Sequence, residues 1–231
     1  MPSINFKPLP ADNQELISFL KQHIEQSEKY VIDFEHRHFN GIREIAIIYC
    51  LRHAIDLAKG CLTTALAELP DSLTTLSRAL LETLFWARYV TLSNENAQEF
   101  TDSTINEMKR IARKNLNAGY ANVYDIKTND NKTSELLDSP FMKDIPPRIS
   151  IESAAKIGGL EHIYTNIYGF ISMIAHGRAF NLRTTSESKD EIYASISAAL
   201  GALQCVEVMT SDWIIDRKQT PKEILFQMLG A

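Results

Sequence analysis

Apolar residues return every three or four positions through most of the 231 residues, the period of a helix with one buried face. Leu16, Leu20, Ile24, Val31 and Phe34 set the first such run, in a segment otherwise rich in Glu, Gln and Lys. A second fills 42–69 through Ile47, Leu51, Ile55, Ala58, Leu62 and Ala65, and Pro70 is expected to end it, because proline cannot continue a helix. Asp71 or Ser72 then caps a third helix reaching about Leu92. Within it, residues 79–90 are apolar apart from Glu82, Thr83 and Arg88. Such a helix belongs at the centre of a bundle.

Ser93 and Asn94 open a more polar helix over 95–118. Its basic run, Lys109, Arg110, Arg113 and Lys114, is taken as a solvated face rather than a phosphate track, given the acidic chain. Residues 121–150 contain Asn129, Asp130, Asn131, Pro140, Pro146 and Pro147 and no sustained period. A connection longer than the usual ~12 to 15 residues is either mobile or a functional flap. Ser150 caps a short helix ending at Gly158 and Gly159, and a strong helix fills 160–180. After a polar break at Thr184, Thr185 and Ser186, a last long helix covers 190–216. Its Ala194, Ala198 and Ala202, beside Ser197, Gly201 and Cys205, permit close approach of another helix, within the core or across a symmetric dimer seam. Thr220-Pro221-Lys222-Glu223 has the form of a capping box and predicts a short terminal helix.

No repeat and no alternating strand pattern interrupts this series. The expected architecture is all-α: a single antiparallel helical bundle of about five long helices plus short helices. It would fill 1–231 as a single domain, with 121–150 a flexible or flap-like connection and the third and 160–180 helices central.

Composition narrows the function classes. A chain with 45% apolar and 23% charged residues is an ordinary globular protein, and a net charge of -5 disfavours coating nucleic acid by bulk electrostatics. Cys50, Cys61 and Cys205 show no paired metal-ligand spacing and are expected as reduced core thiols. The proline-bearing N-terminus lacks the apolar stretch of a secretory signal, and the longest unbroken apolar run, near 45–51, falls far short of the ~20 residues of a membrane span. A cytoplasmic location without membrane contact is the expectation. No glycine-rich phosphate loop or Walker-type lysine is present, so a dinucleotide cofactor is not expected, and with no paired CxxC no metal and no other cofactor are assigned.

One constellation stands out. Arg78 and Glu82 are four apart on the third helix, and Tyr168, Ser172 and His176 are spaced four apart on the 160–180 helix, so each set shares a face. Leu81 and Phe85 flank the first set, and Ile167, Ile171 and Ile174 the second. Polar stripes so placed are at least half buried and need partners. Arg before Glu is the weaker order for an exposed i, i+4 ion pair, which points to a partner across the bundle. Three readings stay open at this stage: a polar network fixing helix register, a pocket with His176 moving protons, and pure binding of a small anion or nucleotide. A Ser172-His176-Glu82 hydrolase triad is set aside, since a mid-helix serine has no oxyanion hole beside it. His36 and His38, about 200° apart if helical, would not share a metal.

The pairing of Arg78-x-x-x-Glu82 with Tyr168-x-x-x-Ser172-x-x-x-His176-Gly177 resembles a prokaryotic family of helical proteins known only as a domain of unknown function, over about 42–216. Helical families of this appearance look like the higher eukaryotes and prokaryotes nucleotide-binding (HEPN) superfamily. Its active members are dimeric, metal-independent ribonucleases of toxin and anti-phage defence systems. That resemblance implies RNA or a nucleotide as ligand, a homodimer, and a protein partner in a defence or toxin-antitoxin system. It also implies His176 as the proton-transfer residue, with Arg78 or Arg178 stabilising charge on phosphate. The usual signature places Arg four to six residues before His on one helix; before His176 no Arg is so placed, and the nearest is Arg178, after it. The alternative is a non-catalytic structural or partner-binding helical module.

Overall fold

The structure is a computed structural model that describes residues 12–35, 41–175 and 185–215, with the side chains of 33–35, 185–188 and 212–215 left aside. It is all-α, and its described residues form no strand. Five helices exceed twenty residues: α1 (Asn13–Glu35), α2 (Ile42–Leu66), α3 (Pro70–Val90), α4 (Asn94–Asn117) and α10 (Thr185–Ile215). Between α4 and α10 come the short helices α5 (Thr133–Asp138), α6 (Pro140–Lys143), α7 (Ile151–Ile157), α8 (Glu161–Ile163) and α9 (Gly169–Ala175). The tail from Thr220 lies outside the described residues.

Where helices begin and end follows local chemistry. Ser93 Oγ accepts the N–H of Asn96 at 3.1 Å and opens α4, and Ser150 Oγ accepts that of Ser153 at 3.0 Å and opens α7. α2 stops three residues before the expected Leu69. Leu69 N–H donates to the Thr64 carbonyl and Glu68 N–H to that of Ala65, the bonds of a Schellman turn, with Glu68 left-handed at φ 53°. Pro70 therefore opens α3 instead of closing α2, and Asp71 and Ser72 lie within its first turn rather than capping it. The same turn ends α7, where Gly159 takes φ 71°. At the other end of the chain, α10 begins by Thr185, so Thr185 and Ser186 belong to the helix they were expected to precede.

The chain divides into two compact units, Gln98–Ile149 and the remainder. In the larger unit α3 is packed by α2, α10, α7 and α9, and α1 lies across α2 and α10. Leu73, Leu80, Leu84, Phe85, Ala87 and Val90 are buried around α3. The second central helix is α10 and not the 160–180 run. Its described part, to Ala175, leaves Glu161, His162, Thr165, Phe170 and Met173 exposed, whereas 195–210 of α10 is buried along most of its length. α2 and α3 are antiparallel, with Cys61 beside Ser77 and Arg43 bonded to the Thr91 carbonyl. α1 and α10 run parallel: Asn13 meets Lys189, and His23 meets Gln204.

A buried polar seam joins three of these helices. Ser77 Oγ can donate to the Leu73 or the Ser195 carbonyl, each at 2.9 Å, Thr74 and Ser195 share a hydroxyl bond of 2.9 Å, and Cys61 Sγ lies 3.7 Å from Ser77 Oγ. Small side chains allow this closeness. On α10, Ala199, Ala202 and Cys205 are used inside the chain, while Ala194, Ser197, Ala198 and Gly201 are half-buried. The stretch Lys189–Ser211 is long and apolar enough to cross a membrane by length and composition, contrary to the reading of short interrupted runs. Its window is 67% buried within the bundle, which accounts for its composition as a core helix.

In the smaller unit, residues expected to lack structure carry their own. Asp125 N–H donates to the Asp130 carbonyl and Lys132 N–H to that of Val123, closing a turn in which Tyr124 bridges Asn131. The N–H groups of Thr128 and Lys127 hold the Asp125 carboxyl below its usual range. α5 and α6 follow, and Met142 is buried.

Two expectations follow for stability. Glu68 holds a left-handed conformation that costs a side-chain-bearing residue about 1 kcal/mol, and its negative charge stands at the C-terminal end of α2. Glu68→Gly should therefore raise the urea midpoint, and Gly159→Ala should lower it by a comparable amount. The thiols give the second. Burial pushes Cys50 and Cys205 up to about 12 and Cys61 up to about 11. Their folded values exceed the unfolded value of ~8.5, so the stabilisation is complete below that pH and is lost as pH rises through it towards the folded values. Urea titrations at increasing alkaline pH should show a loss on the order of 1 kcal/mol per thiol per pH unit, shallower in Cys50→Ala.

Candidate functional site

On α3, Arg78, Glu82 and Phe85 lie on one side because they are four and three residues apart. Opposite them, α8 passes into α9 through a π-helical turn, Tyr164–Tyr168, closed by the Gly169 N–H donating to the Tyr164 carbonyl. The turn stacks Tyr164 on Tyr168, with ring centroids 5.0 Å apart and an interplanar angle of 20°. Both rings meet Phe85 edge-on, at 5.9 and 5.8 Å. Ile163, Ile171 and Ile174 stay buried on either side of it.

This places the Tyr168 hydroxyl between the two charged groups of α3. Arg78 donates to it from Nε at 3.2 Å and from Nη2 at 3.0 Å, and the hydroxyl donates to Glu82 Oε1 at 2.9 Å. Arg78 Nη2 also reaches Glu82 Oε1 directly at 3.0 Å, and the guanidinium lies 5.5 Å from the centre of the Tyr168 ring. The arginine and glutamate side chains are 28% and 30% exposed, so the trio lies at the edge of the core. Nη1 of Arg78 has no hydrogen-bond partner among the described residues. Burial works against the Arg78 charge, but the Tyr168 hydrogen bond and the Glu82 charge outweigh it and hold the guanidinium above its ordinary range. Burial and the Glu82 carboxylate raise Tyr168 against the opposing pull of Arg78, so the phenol keeps its proton.

Of the residues singled out by sequence, Arg78, Glu82 and Tyr168 thus converge. Ser172 is half-buried one turn further along α9, and no hydrogen bond joins it to the trio. His176 and Arg178, like His36 and His38, lie outside the described residues. Among the described residues no three His, Cys, Asp or Glu side chains gather where they could hold a metal ion.

A second polar cluster, between α1 and α10, was not foreseen. Ser27, fully buried, can donate to the His23 carbonyl at 2.8 Å or to Glu207 Oε1. His23 Nδ1 lies 3.4 Å from Glu207 Oε2, and Gln204 Nε2 is 2.9 Å from His23 Nε2. The residue types suggest nucleophile chemistry, but the hydroxyl faces the carboxylate and a carbonyl rather than an imidazole nitrogen, and it is closed to solvent. The cluster joins helices. Its sequence signal was the interruption of an apolar stripe, at His23 and Ser27 on α1 and at Gln204 and Glu207 on α10.

Residues 44–192 match the Family of unknown function (DUF5677). The chain belongs to this family. The matched region runs from the start of α2 into α10 and so contains Arg78, Glu82 and Tyr168. No curated protein and no solved structure matches the chain.

The hydroxyl of Tyr168 can be weighed separately from its ring. Tyr168→Phe keeps the contacts with Phe85 and Tyr164 and removes only the bridge, and is expected to cost about 1 to 2 kcal/mol in urea unfolding. A loss near zero would mean that the direct Arg78–Glu82 contact suffices.

Proposed function

We propose that the Arg78–Glu82–Tyr168 site handles an anion, the phosphate of RNA or of a nucleotide, and that the protein is a metal-independent ribonuclease or nucleotide-handling protein of a prokaryotic defence or toxin system. The observation that carries this reading is the state of Arg78. Tyr168 and Glu82 fix two of its nitrogens, while Nη1 is left for a ligand at a partly exposed position. A guanidinium held this way meets a phosphate oxygen with little further loss of side-chain freedom. In this reading His176 transfers the proton and Arg78 or Arg178 stabilises the charge that develops on phosphate. Likeness to the nucleotide-binding superfamily named above supports the substrate class, a homodimeric state and a protein partner in the same system, and a cytoplasmic setting is kept from the reading of the N-terminal sequence.

A second reading has its own observation. Glu82 already neutralises Arg78, and an anion arriving at Nη1 meets that carboxylate nearby. On this view the trio is a clasp that holds α9 in register on α3, and the protein is a non-catalytic structural or partner-binding module.

Purified wild type, His176→Ala and Arg78→Lys, incubated with total RNA and a nucleotide panel in the presence of chelator, separate the two. The first reading expects cleavage or binding by wild type, its loss in His176→Ala with a melting temperature within about 2 °C, and weakened binding in Arg78→Lys. The clasp reading expects no cleavage and no binding by any of the three, with Arg78→Lys changing stability alone.

A further inference from the structure

Within the unit Gln98–Ile149 the cations gather on one side of α4. From Met108 to Tyr124 the chain carries Lys109, Arg110, Arg113 and Lys114 and no acidic residue. At about 100° per residue these four fall on the side of the helix opposite Ile105, Met108 and Ile111. Lys109 and Arg113 are like charges four apart, as are Arg110 and Lys114, and both pairs weaken the helix. The pull of the helix dipole on cations accounts for Lys114 alone, since it fades beyond the last turn. Nearby carboxylates do not relieve the rest. Glu107 answers Arg110 at 3.0 Å and Asp138 answers Lys143 at 2.9 Å, while Arg113 and Lys114 are exposed and enter no ion pair among the described residues. Asp144 and Arg148, both exposed and outside any such pair, offset each other.

Exposed rings accompany these cations. Arg110 also donates to the Pro146 carbonyl, which ties the segment after α6 to α4, and the Lys109 ammonium lies 4.1 Å from the centre of the Phe141 ring. Phe141 is nonetheless 58% exposed. Past the end of α4, the Tyr120 N–H donates to the Asn115 carbonyl at 2.9 Å, which holds its backbone beside the last turn, and Tyr120 is 85% exposed. A ring left in water thus stands at Lys109 and another just beyond Lys114. Cations beside exposed rings fit a single-stranded nucleic acid, whose phosphates meet the cations and whose unstacked bases lie on the rings. A duplex keeps its base faces stacked and would leave the rings unused. A membrane fits less well, because the apolar side that would enter it points away from the cations.

We infer that the C-terminal half of α4, with Phe141 and Tyr120, binds a short stretch of single-stranded nucleic acid. Arg113 and Lys114 meet its phosphates first, Lys109 and Arg110 hold the track in place, and Phe141 and Tyr120 each take a base. The inference shares its ligand class with the proposed function but uses none of the residues of the Arg78 site, so the two are tested separately.

Fluorescence anisotropy with labelled oligouridylate and oligodeoxythymidylate of ~10 nucleotides tests this, the tighter of the two naming the sugar that is read. Wild type should bind with a log–log salt slope of about −2, the value for roughly three neutralised phosphates on a single strand. Arg113→Glu combined with Lys114→Glu should weaken binding at least about tenfold and flatten that slope, with an unchanged far-ultraviolet circular dichroism spectrum. Phe141→Ala should weaken it about fivefold or more, whereas Phe141→Tyr, which keeps a stacking ring, should not. Absence of binding at low salt overturns the inference, as does binding indifferent to the α4 variants. A loss in Arg78→Lys with none in the α4 variants would assign the binding to the Arg78 site, overturning this inference while sparing that reading. Inorganic polyphosphate competing as well as the oligonucleotides, phosphate for phosphate, would deny the rings a part and overturn it too. So would vesicles rich in phosphatidylserine that bind in preference to both oligonucleotides.

Discussion

A helix that is apolar on nearly every side can only be stable inside, and α3 carries an arginine and a glutamate to the edge of the core with it. Covering α3 requires neighbours from several directions, and α2, α10, α7 and α9 supply them. Two charged groups partly withdrawn from water need partners near at hand. Tyr168 is that partner, and it reaches them because the π-helical turn brings its hydroxyl over α3 while the isoleucines beside it stay buried. The site at the edge of the core is thus a consequence of how the core is closed. Arg88 repeats the theme deeper in: its Nε donates to the Gly158 carbonyl at 3.1 Å, and a side chain on Gly158 would press on the Arg88 stem.

Helix by helix, periodicity carried most of the fold. Leu16, Leu20 and Ile24 of α1 and Ile47, Leu51, Ile55, Ala58 and Ala65 of α2 are buried where their spacing puts them, Val31 and Leu62 are half-buried, and the serine caps of α4 and α7 open those helices. Proline was the least faithful sign. Pro70 was read as a stop when it is a start, because the actual stop, a left-handed Glu68, has no residue-type signature. The centrality of α10 was missed for a related reason: small residues such as Ala199, Ala202 and Cys205 raise no strong apolar signal, yet they let helices approach most closely.

Within the site, legibility was uneven. Spacing alone put Arg78 and Glu82 on one face and Tyr168 among apolar neighbours, and the inference of a partner across the bundle rested on the order of the ion pair. The π-helical turn could not be read, since its residues, Tyr164-Thr-Asn-Ile-Tyr168, fit an ordinary helix equally well. Nor could the pairing of His23 and Ser27 with Gln204 and Glu207. Each pair looks like a minor flaw in its own stripe, and only their meeting makes them a network.

That meeting has a consequence in time. Ser27 and Glu207 are 180 residues apart, and α10 is also a main covering of α2 and α3. During synthesis at ~5 to 20 residues per second, the first three helices are complete roughly six to twenty-five seconds before α10 is finished. For that interval their inner faces stand uncovered, and the buried Thr74 hydroxyl waits for its partner Ser195 on α10. A nascent chain of this design spends most of its synthesis with that core unfinished, the state in which uncovered apolar faces most invite aggregation.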